Sequence, residues 1–252
     1  MPVRTVLDPV GDGSYAAAWA LDFGPMGVPR LTVLDNPAAL PARLPEADEL
    51  FLWFGAPGSE GYDDLLPYLS EAECGRLARL QQPGDRSSFA ATHAALRFML
   101  ATMLNGLPRD VALVDGRYGK PMLDARRHGG DAARVHFNIS HTRGLVAVAL
   151  AGCPVGVDVE ARREIRDMRA VADSVFAKPC LRALADASSE AARRALFYRF
   201  WTLGEAFIKA TGEGLAQGLK TFAFSARGVP VLAQVSDAWR PPTRWRFGVF
   251  PE

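Results

Sequence analysis

The sequence has few of the residues that build disulfides or zinc sites. Its 252 residues include only three cysteines, Cys74, Cys153 and Cys180, which are far apart and form no Cys-x-x-Cys pair. An odd and dispersed set of this kind argues against a disulfide framework and is typical of a reducing cytosol. The four histidines show no His-Glu-x-x-His spacing, so a zinc site is not expected either.

Long apolar runs and an excess of charge of one sign are also absent. No stretch reaches the roughly 18 apolar residues that a membrane span needs, and the N-terminal stretch has Asp, Pro and Gly where a signal peptide needs an apolar run. The net charge is only +1, so no overall field favours nucleic acid or a membrane surface. These absences predict a cytoplasmic protein that binds neither nucleic acid nor a membrane.

What remains is an ordinary globular composition, with 49% hydrophobic and 23% charged residues. The length allows one large domain or two small ones. Strand and helix patterns are both frequent but do not alternate strictly, which favours an α+β fold over a doubly wound sheet. Apolar spacing and caps predict strands over 50–55, 134–141, 144–152 and 154–160, and helices over 70–80, 85–105, 161–176 and 188–212.

Two carboxylates stand on one face of the stretch VGVDVE, residues 155–160. Side chains alternate along a strand, so the three valines share a core face while Asp158 and Glu160 share the other. Neighbouring carboxylates repel each other unless a cation neutralises them. The pattern fits either a solvated strand end or a site for a hard cation such as Mg²⁺. Glu205 is the candidate third carboxylate.

Glu205 and Lys209 stand one turn apart in the helical stretch WTLGEAFIKATGEGL, residues 201–215. Taken alone, this spacing is that of a pair supporting itself on a solvated helix face. Beside a cation site, the same two residues could instead hold the metal and a phosphate that the metal bridges. The aromatic pair Phe200 and Trp201 is expected to anchor the helix in the core.

Several donors suitable for a phosphate occur elsewhere in the chain. Lys120 lies in a tight Gly–Pro turn, and Ser140 and His141 lie at a strand end. Arg76 and Arg86 flank the end of the helix predicted over 70–80. Each has an ordinary structural explanation when taken singly, but together they form a candidate anion-binding group.

Four motifs now combine into a recognisable set. YGKPML, FNISHT, VGVDVE and FWTLGEAFIKATGEGL occur in the order and spacing of the 4′-phosphopantetheinyl transferases. The chain resembles the larger, surfactin-synthetase-activating type over roughly residues 50–250. That resemblance implies a pseudo-twofold pair of similar α+β halves with the ligand cleft between them. It also implies a monomer, because one chain already forms the cleft.

The resemblance implies a reaction and roles for individual residues. Such enzymes move the 4′-phosphopantetheine group of coenzyme A to a serine of an acyl or peptidyl carrier protein, and they release adenosine 3′,5′-bisphosphate. Asp158, Glu160 and Glu205 match the magnesium ligands, and Glu205 or a nearby water is the candidate base. Lys209 matches a pyrophosphate contact. Lys120, Ser140 and His141 match positions that hold the nucleotide, a group to which we add Arg76 and Arg86.

On this basis the chain divides into three parts. Residues 1–48 form an N-terminal extension without a recognised counterpart, which could cover the cleft or extend the first sheet. Residues 49–150 form the first half, with the nucleotide contacts. Residues 151–252 form the second half, with the metal and catalytic residues.

The sequence departs from the family pattern at a few positions. Gly204 replaces the Lys or Arg that usually precedes the motif glutamate, which would remove a cation near the pyrophosphate. Cys180 stands where Glu is common, and Ser88 and His93 stand where basic residues often occur.

The predicted helix 161–176 follows the metal strand and carries Arg162, Arg163, Arg166 and Arg169. The carrier proteins on which this family acts are generally acidic, so this helix and the segment near Lys178 are the candidate rim of the carrier site. Its other interpretation is a solvated amphipathic helix.

Two other functions are compatible with the same residues. One is a Mg²⁺-dependent phosphodiesterase that needs no protein acceptor, and the other is a weakly catalytic module that binds coenzyme A or a carrier. The sequence does not distinguish fatty-acid, polyketide and nonribosomal-peptide carriers.

Overall fold

The structure is a computed structural model that describes residues 4–5, 14–24, 27–58, 61–116 and 118–250. The strands in these ranges are β1 (Arg4–Thr5), β2 (Tyr15–Asp22), β3 (Arg30–Leu34), β4 (Glu49–Ala56), β5 (Leu113–Asp115), β6 (Pro121–Leu123), β7 (His136–Thr142), β8 (Leu145–Ala151), β9 (Val155–Ala161), β10 (Ala223–Phe224), β11 (Leu232–Gln234) and β12 (Trp245–Phe250). The helices are α1 (Glu71–Arg79), α2 (Pro83–Leu104), α3 (Ala125–His128), α4 (Met168–Val175), α5 (Lys178–Ala185) and α6 (Glu190–Thr211).

The strands form two main sheets, and the predicted α+β class is confirmed. The first sheet has the order β1-β4-β8-β7, with β3 added parallel to β4. The second sheet has the order β12-β2-β9 and is antiparallel. Two short hairpins, β5–β6 and β10–β11, lie outside these sheets.

The two sheets pack face to face, with a long helix on each outer face. Leu52 and Ala149 of the first sheet share a buried cluster with the valines of β9, which are at most 1% exposed, so their predicted core face is confirmed. A second cluster joins α2 to the outer face of the first sheet. A third joins α6 to the outer face of the second sheet.

The N-terminal part of the chain contributes the middle strand of the second sheet. β2 pairs with β9 on one side and with β12 on the other, so it belongs to the second sheet. β1 and β3 of the same N-terminal extension pair with β4 and do extend the first sheet, which was one of the two expected outcomes. Ala18 lies opposite Asp158 and Ala16 opposite Glu160. These small side chains lie in the cluster under α6 and allow the helix to lie close to the strands.

Helix termini follow local sequence signals where such signals exist. Ser70 and Glu73 form the predicted capping box at the start of α1. α2 ends at Asn105, whose left-handed backbone has φ 52°. Ser189 caps α6, and Gly212 ends it with φ 74°. In the described ranges no helix has the length and apolar character to cross a membrane.

The predicted helix over 161–176 is wrong in its first half. β9 continues to Ala161, and the amide of Arg162 donates to the carbonyl of Ser14, which extends the strand. The helix begins only at Met168, after Asp167 caps it from a left-handed conformation. The apolar residues that suggested a helix do pack against the cluster under α6. Ile165 does so from the irregular connection before the helix, whereas Met168, Val171 and Val175 do so from α4.

Candidate functional site

A glycine in β9 brings helix α6 against the strand that carries the acidic residues. A Cβ at Gly156 would overlap the carbonyl oxygen of Ala206 and the amide nitrogen of Ala210. Both of these are backbone atoms, so no side-chain rotation could relieve the overlap. The absence of a side chain at 156 therefore lets α6 lie directly on β9, which places Lys209 beside Asp158.

Asp158 is the buried centre of the site, with only 4% of its surface exposed. Its Oδ1 accepts hydrogen bonds from Lys209 Nζ at 2.7 Å and from Ser140 Oγ at 3.0 Å. Its Oδ2 is buried and has no hydrogen-bond partner among the described residues. A buried carboxylate oxygen without a partner is costly, so this atom marks a place for a cation or a donor.

Lys209 is held by the strand side of the site rather than by its neighbour on the helix. Besides Asp158, its Nζ donates to Ser140 Oγ at 3.0 Å and to the carbonyl of Val157 at 3.1 Å. Among the described residues its ion pair is with Asp158, not with Glu205. The interpretation of Glu205 and Lys209 as a mutually supporting pair on a solvated face is therefore wrong.

Glu160 and Glu205 lie close enough to Asp158 for its charge to shift their pKa values. Burial, and secondly the Asp158 charge, raises the pKa of Glu205 above that of a solvated glutamate. The same two causes raise the pKa of Glu160. We call Asp158, Glu160 and Glu205 the carboxylate site. The raised pKa values indicate that burial, and secondly repulsion from Asp158, disfavours the ionised form of each glutamate in the metal-free protein.

Trp201 contributes a polar contact that the sequence analysis missed. Its Nε1 donates to Glu160 Oε1 at 3.2 Å, and its ring stacks on Phe197 with the ring centres 6.0 Å apart. Trp201 is therefore more than the expected core anchor, since it also orients a carboxylate. Its spacing of four residues from Glu205 on one helix face was the signal that could have revealed this role.

The carboxylate site fits a hard cation in its chemistry but is not a closed cage. It offers oxygen donors, surplus negative charge and the unpartnered Oδ2 of Asp158. In the described part of the chain, no three acidic, histidine or cysteine side chains converge as a ready metal site. Mg²⁺ typically takes one or two carboxylates and completes its shell with water and phosphate oxygens, so convergence of three is not required.

Ser140 belongs to a row of polar side chains that joins the two sheets. Asn138, Ser140 and Thr142 of β7 accept hydrogen bonds from the amides of Val157, Val159 and Ala161 in β9, respectively. The alternating polar side chains of β7 thus satisfy the backbone amides of β9, which is the edge strand of the second sheet. Ser140 also donates to Asp158, and its predicted contact with a nucleotide stays a prediction.

Lys120 points at the end of α6 rather than into open space. Its Nζ donates to the carbonyl of Val155 at 2.8 Å and to the carbonyl of Lys209 at 2.7 Å. Burial, and secondly the charge of Lys209, lowers the pKa of Lys120 to about 8. A cavity of about 590 Å³ lies beside it, between the β5–β6 hairpin and the end of α6.

This geometry predicts a structural role for Lys120. Lys120→Met is expected to lower the free energy of unfolding by about 1–3 kcal/mol, because carbonyls that it satisfies would lose their donor. Urea unfolding at neutral pH measures this, with exposed Lys220→Met as the matched control. Unchanged stability together with weaker nucleotide binding would show that Lys120 serves the ligand instead.

The remaining predicted anion-binding residues lie around α1 and α2. His141 is exposed, and its partial burial followed by the charge of Lys209 lowers the pKa of its ring. Arg76 is exposed and lies over the ring of Phe89, with 5.5 Å between its guanidinium carbon and the ring centre. Arg86 instead donates its Nε to the carbonyl of Leu80 at 2.7 Å. Arg76 and His141 are thus the more available of these groups.

The other departures from the family pattern are explained by packing. His93 stacks on Phe89 and bonds to Glu73 Oε1 at 2.9 Å, and Ser88 is buried in α2. Cys180 is 3% exposed in the cluster under α6, where a glutamate would be buried among apolar side chains.

Gly204 faces the core and not the carboxylate site. A Cβ there would overlap Leu219 Cδ2 and lie 3.4 Å from the ring of Phe222. The helix places 204 about 100° around its axis from 205. A side chain at 204 would therefore start toward Leu219 and Phe222 in the protein interior, and the effect of Gly204 on the pyrophosphate site stays a prediction.

Introducing a lysine at position 204 should consequently destabilise the folded protein. Gly204→Lys is expected to lower the free energy of unfolding by about 1–3 kcal/mol through overpacking against Leu219 and Phe222. Urea unfolding of this variant beside Gly204→Ala separates the effect of the long side chain from that of the Cβ. A variant as stable as the parent, with tighter binding of an anionic ligand, would contradict this assignment.

The arginines predicted to form one rim are divided between different surfaces. Arg163 and Arg166 line a groove of about 380 Å³ whose walls include Glu160, Ile165 and Trp201. Arg162 and Arg169 do not line it. Arg163 and Arg166 lie in the irregular connection between β9 and α4, whereas Arg162 directly follows β9 and Arg169 lies in α4.

Comparisons with known proteins agree with the motifs. A family model described as the 4′-phosphopantetheinyl transferase superfamily matches residues 154–250. The 4′-phosphopantetheinyl transferase HetI of a Nostoc species is 30% identical over 200 residues, which cover 77% of this chain and 81% of that protein. A Synechocystis protein assigned by name to the same transferases is 35% identical over 161 residues, or 63% of this chain and 62% of its own length. The 4′-phosphopantetheinyl transferase Sfp of Bacillus subtilis is 32% identical over 114 residues, 45% of this chain and 47% of that protein.

Proposed function

This chain belongs to the 4′-phosphopantetheinyl transferase superfamily, and from that premise we propose that it is a holo-carrier-protein synthase. It transfers 4′-phosphopantetheine from coenzyme A to a serine hydroxyl of an acyl or peptidyl carrier protein. The serine oxygen bonds to the phosphorus that bears pantetheine, and that phosphorus loses its bond to the bridging pyrophosphate oxygen. Adenosine 3′,5′-bisphosphate leaves, and the serine proton goes to a base.

One observation carries this proposal beyond family membership. A buried Asp158 with an unpartnered Oδ2 lies against Lys209, with two further carboxylates of raised pKa close by. The ammonium group of Lys209 suits a pyrophosphate, and the neighbouring carboxylates suit the cation that accompanies it. A solvated strand end would not bury Asp158.

Each residue of the site has a proposed role. Asp158, Glu160 and Glu205 would hold Mg²⁺, which supplies charge neutralisation at the pyrophosphate when bound. Lys209 would exchange one of the three acceptors that its Nζ has in this structure for a pyrophosphate oxygen, and it would thereby add to the stabilisation of the leaving group. Glu205, or a water that it orients, accepts the serine proton. Its raised pKa favours proton acceptance, whereas a nearby cation acts in the opposite direction.

The nucleotide part of coenzyme A has two alternative places to bind in this proposal. Arg76 and His141 provide exposed cationic or donor groups that suit the 3′-phosphate. The cavity of about 590 Å³ beside Lys120 has the size of a small-ligand pocket and is the alternative place for the nucleotide. We further propose a cytoplasmic monomer, in keeping with the cysteines, which form no disulfide.

Intact-protein mass spectrometry tests the reaction directly. Purified protein, Mg²⁺ and coenzyme A are mixed with a panel of apo carrier proteins from fatty-acid, polyketide and nonribosomal-peptide systems. A phosphopantetheine mass gain on a carrier, absent without metal, supports the transferase. No gain on any carrier, with coenzyme A binding intact, would favour the binding module. Hydrolysis of coenzyme A without an acceptor would favour the phosphodiesterase.

The groove lined by Arg163 and Arg166 is the proposed docking site for the acidic carrier. The double change Arg163→Glu and Arg166→Glu is expected to raise the carrier KM about tenfold through like-charge repulsion at the rim. The KM for coenzyme A should not change. Arg169→Glu is the matched control, because this exposed arginine is close in sequence but outside the groove. Equal losses for carrier and coenzyme A would contradict the assignment.

A further inference from the structure

A second cavity, of about 560 Å³, opens on a different face of α6 from the carboxylate site. Its walls come from α6, from the start of β2 and from the end of β12, which contribute Leu196, Ala16 and Phe250 among others. Asp158, Glu160, Glu205 and Lys209 do not line it. The proposed transfer reaction therefore assigns no role to this cavity.

Two arginines extend into this cavity without a partner of opposite charge. Arg162 and Arg199 both line it, and the Nε of each is buried without a hydrogen-bond partner in the described ranges. Neither forms an ion pair with a described carboxylate. Arg199 does donate from one terminal nitrogen to the carbonyl of Gly228 at 2.6 Å, which fixes the guanidinium in place.

The unpartnered Nε atoms call for an acceptor. Buried polar groups in proteins are almost always hydrogen-bonded, and a buried cation is stable only when it is paired. Partial burial lowers the pKa of both guanidiniums, as expected for charges that are partly removed from water. An oxyanion in the cavity would supply the acceptor that the Nε atoms lack.

The rest of the lining indicates what else the ligand would carry. Arg227 adds a third positive charge, and Asp186 is the acidic residue among the described lining residues. The remaining walls are mostly small or apolar side chains, from alanine, leucine, valine and phenylalanine. A charged end beside apolar walls is the usual design of a site for a small amphiphilic ligand.

We propose that this cavity binds a small anionic ligand, with a carboxylate or phosphate head on Arg162 and Arg199 and a short apolar body against the alanine-rich wall. The guanidinium fork matches the planar or tetrahedral oxygens of either head group. The site is separate from the carboxylate site, so its occupancy is measurable without coenzyme A or a carrier. Failure of this proposal and failure of the transferase proposal are therefore distinguishable.

Isothermal titration calorimetry at neutral pH, on the full chain, tests the proposal with three probes. Octanoate and octyl phosphate present the two head groups, and octanol presents the apolar body alone. Saturable binding of either anion without binding of octanol supports the site, and the better anion identifies the head group. Arg162→Gln and Arg199→Gln are each expected to weaken binding about tenfold, the effect of losing one charge-assisted hydrogen bond.

Two further variants keep the test decisive if an arginine variant folds poorly. Ala195→Trp leaves both arginines in place and fills the cavity from an exposed position, so it should abolish binding. Arg182→Gln removes an exposed arginine outside the cavity and should bind like the parent. The proposal is overturned if neither anion binds, if octanol binds equally well, or if Ala195→Trp binds normally.

Discussion

Glu205→Gln is expected to lower the rate of phosphopantetheine transfer by about 10²–10⁴-fold, the usual effect of losing a positioned acid–base group. The variant loses a carboxylate that would hold the cation and accept the serine proton. It keeps the shape of the side chain and the fold around it. Single-turnover mass spectrometry of a carrier at saturating coenzyme A measures the loss.

The same change should increase the stability of the metal-free protein. Burial and Asp158 raise the pKa of Glu205, so ionised Glu205 is less favourable in the folded state than in the unfolded chain. A neutral glutamine removes this penalty at neutral pH. A variant that is inactive but more stable would identify a residue kept for function at the expense of the fold.

The pH dependence of stability follows from the same pKa directions. Because the folded pKa values of Glu160 and Glu205 lie above their unfolded values, the folded protein binds more protons over that interval. The contribution of these two carboxyls to the free energy of unfolding should therefore decrease as pH rises from about 4 and level off above their folded pKa values. Other groups act in the opposite direction, such as His136, whose pKa burial lowers to about 4, so the quantity to compare is the difference between Glu205→Gln and the parent. That difference in the free energy of unfolding should grow in favour of the variant as pH rises.

Urea unfolding across this pH range, with and without MgCl₂, checks both expectations. Asp173→Asn serves as the matched control, because Asp173 is an exposed carboxylate in the same part of the chain. If Glu205→Gln unfolds more easily than the parent at neutral pH without metal, the repulsion inferred at the carboxylate site is wrong. Full transfer activity in this variant would remove Glu205 from the mechanism.

Lys209→Met is the second change with a large expected effect, here on both stability and activity. The free energy of unfolding should fall by about 3–5 kcal/mol, the cost of leaving a buried charge without its partner. Asp158 is 4% exposed and would lose its 2.7 Å contact, retaining Ser140 as its donor on Oδ1. Transfer should also fall by about 10²–10³-fold, as for other lost donors to developing charge.

A double-mutant cycle separates the ion pair from the rest of the Lys209 side chain. Asp158→Asn combined with Lys209→Met should recover most of the lost stability, since no buried charge then lacks a partner. Urea unfolding gives the four free energies, and exposed Lys220→Met is the control for losing a lysine. Additive losses in the double variant would mean that the two side chains do not depend on each other.

Local patterns were enough to predict the elements that carry the site. The valines of β9, the capping box of α1 and the ends of α6 are all encoded by neighbours in sequence. Helical and strand periodicity then placed Asp158 and Glu160 on one face and Glu205 and Lys209 on another. Bringing the two faces together depended on the family resemblance, because no local signal reports that Gly156 admits α6.

Contacts between distant segments account for what the sequence did not predict. The pairing of β2 with β9 joins residues about 140 positions apart, and strand periodicity carries no information about a partner. The contact of Lys120 with the end of α6 also joins distant residues, which are 89 positions apart. The direction of position 204 was not predicted for a different reason, since a motif comparison aligns residues without their direction around the helix.

The position of β2 also has a consequence for the order in which the protein can be completed on the ribosome. β2 is synthesised before every residue of the carboxylate site, yet its two neighbours in the sheet begin at Val155 and Trp245. One edge of the nascent strand must therefore stay unpaired until β9 has left the exit tunnel, and the other until nearly all of the described chain has left it. The face of β2 that lies under α6 carries Ala16, Ala18 and Ala20, so this face exposes little apolar surface during that interval. The residues that let α6 lie close would thus also limit aggregation of the unfinished chain through that face.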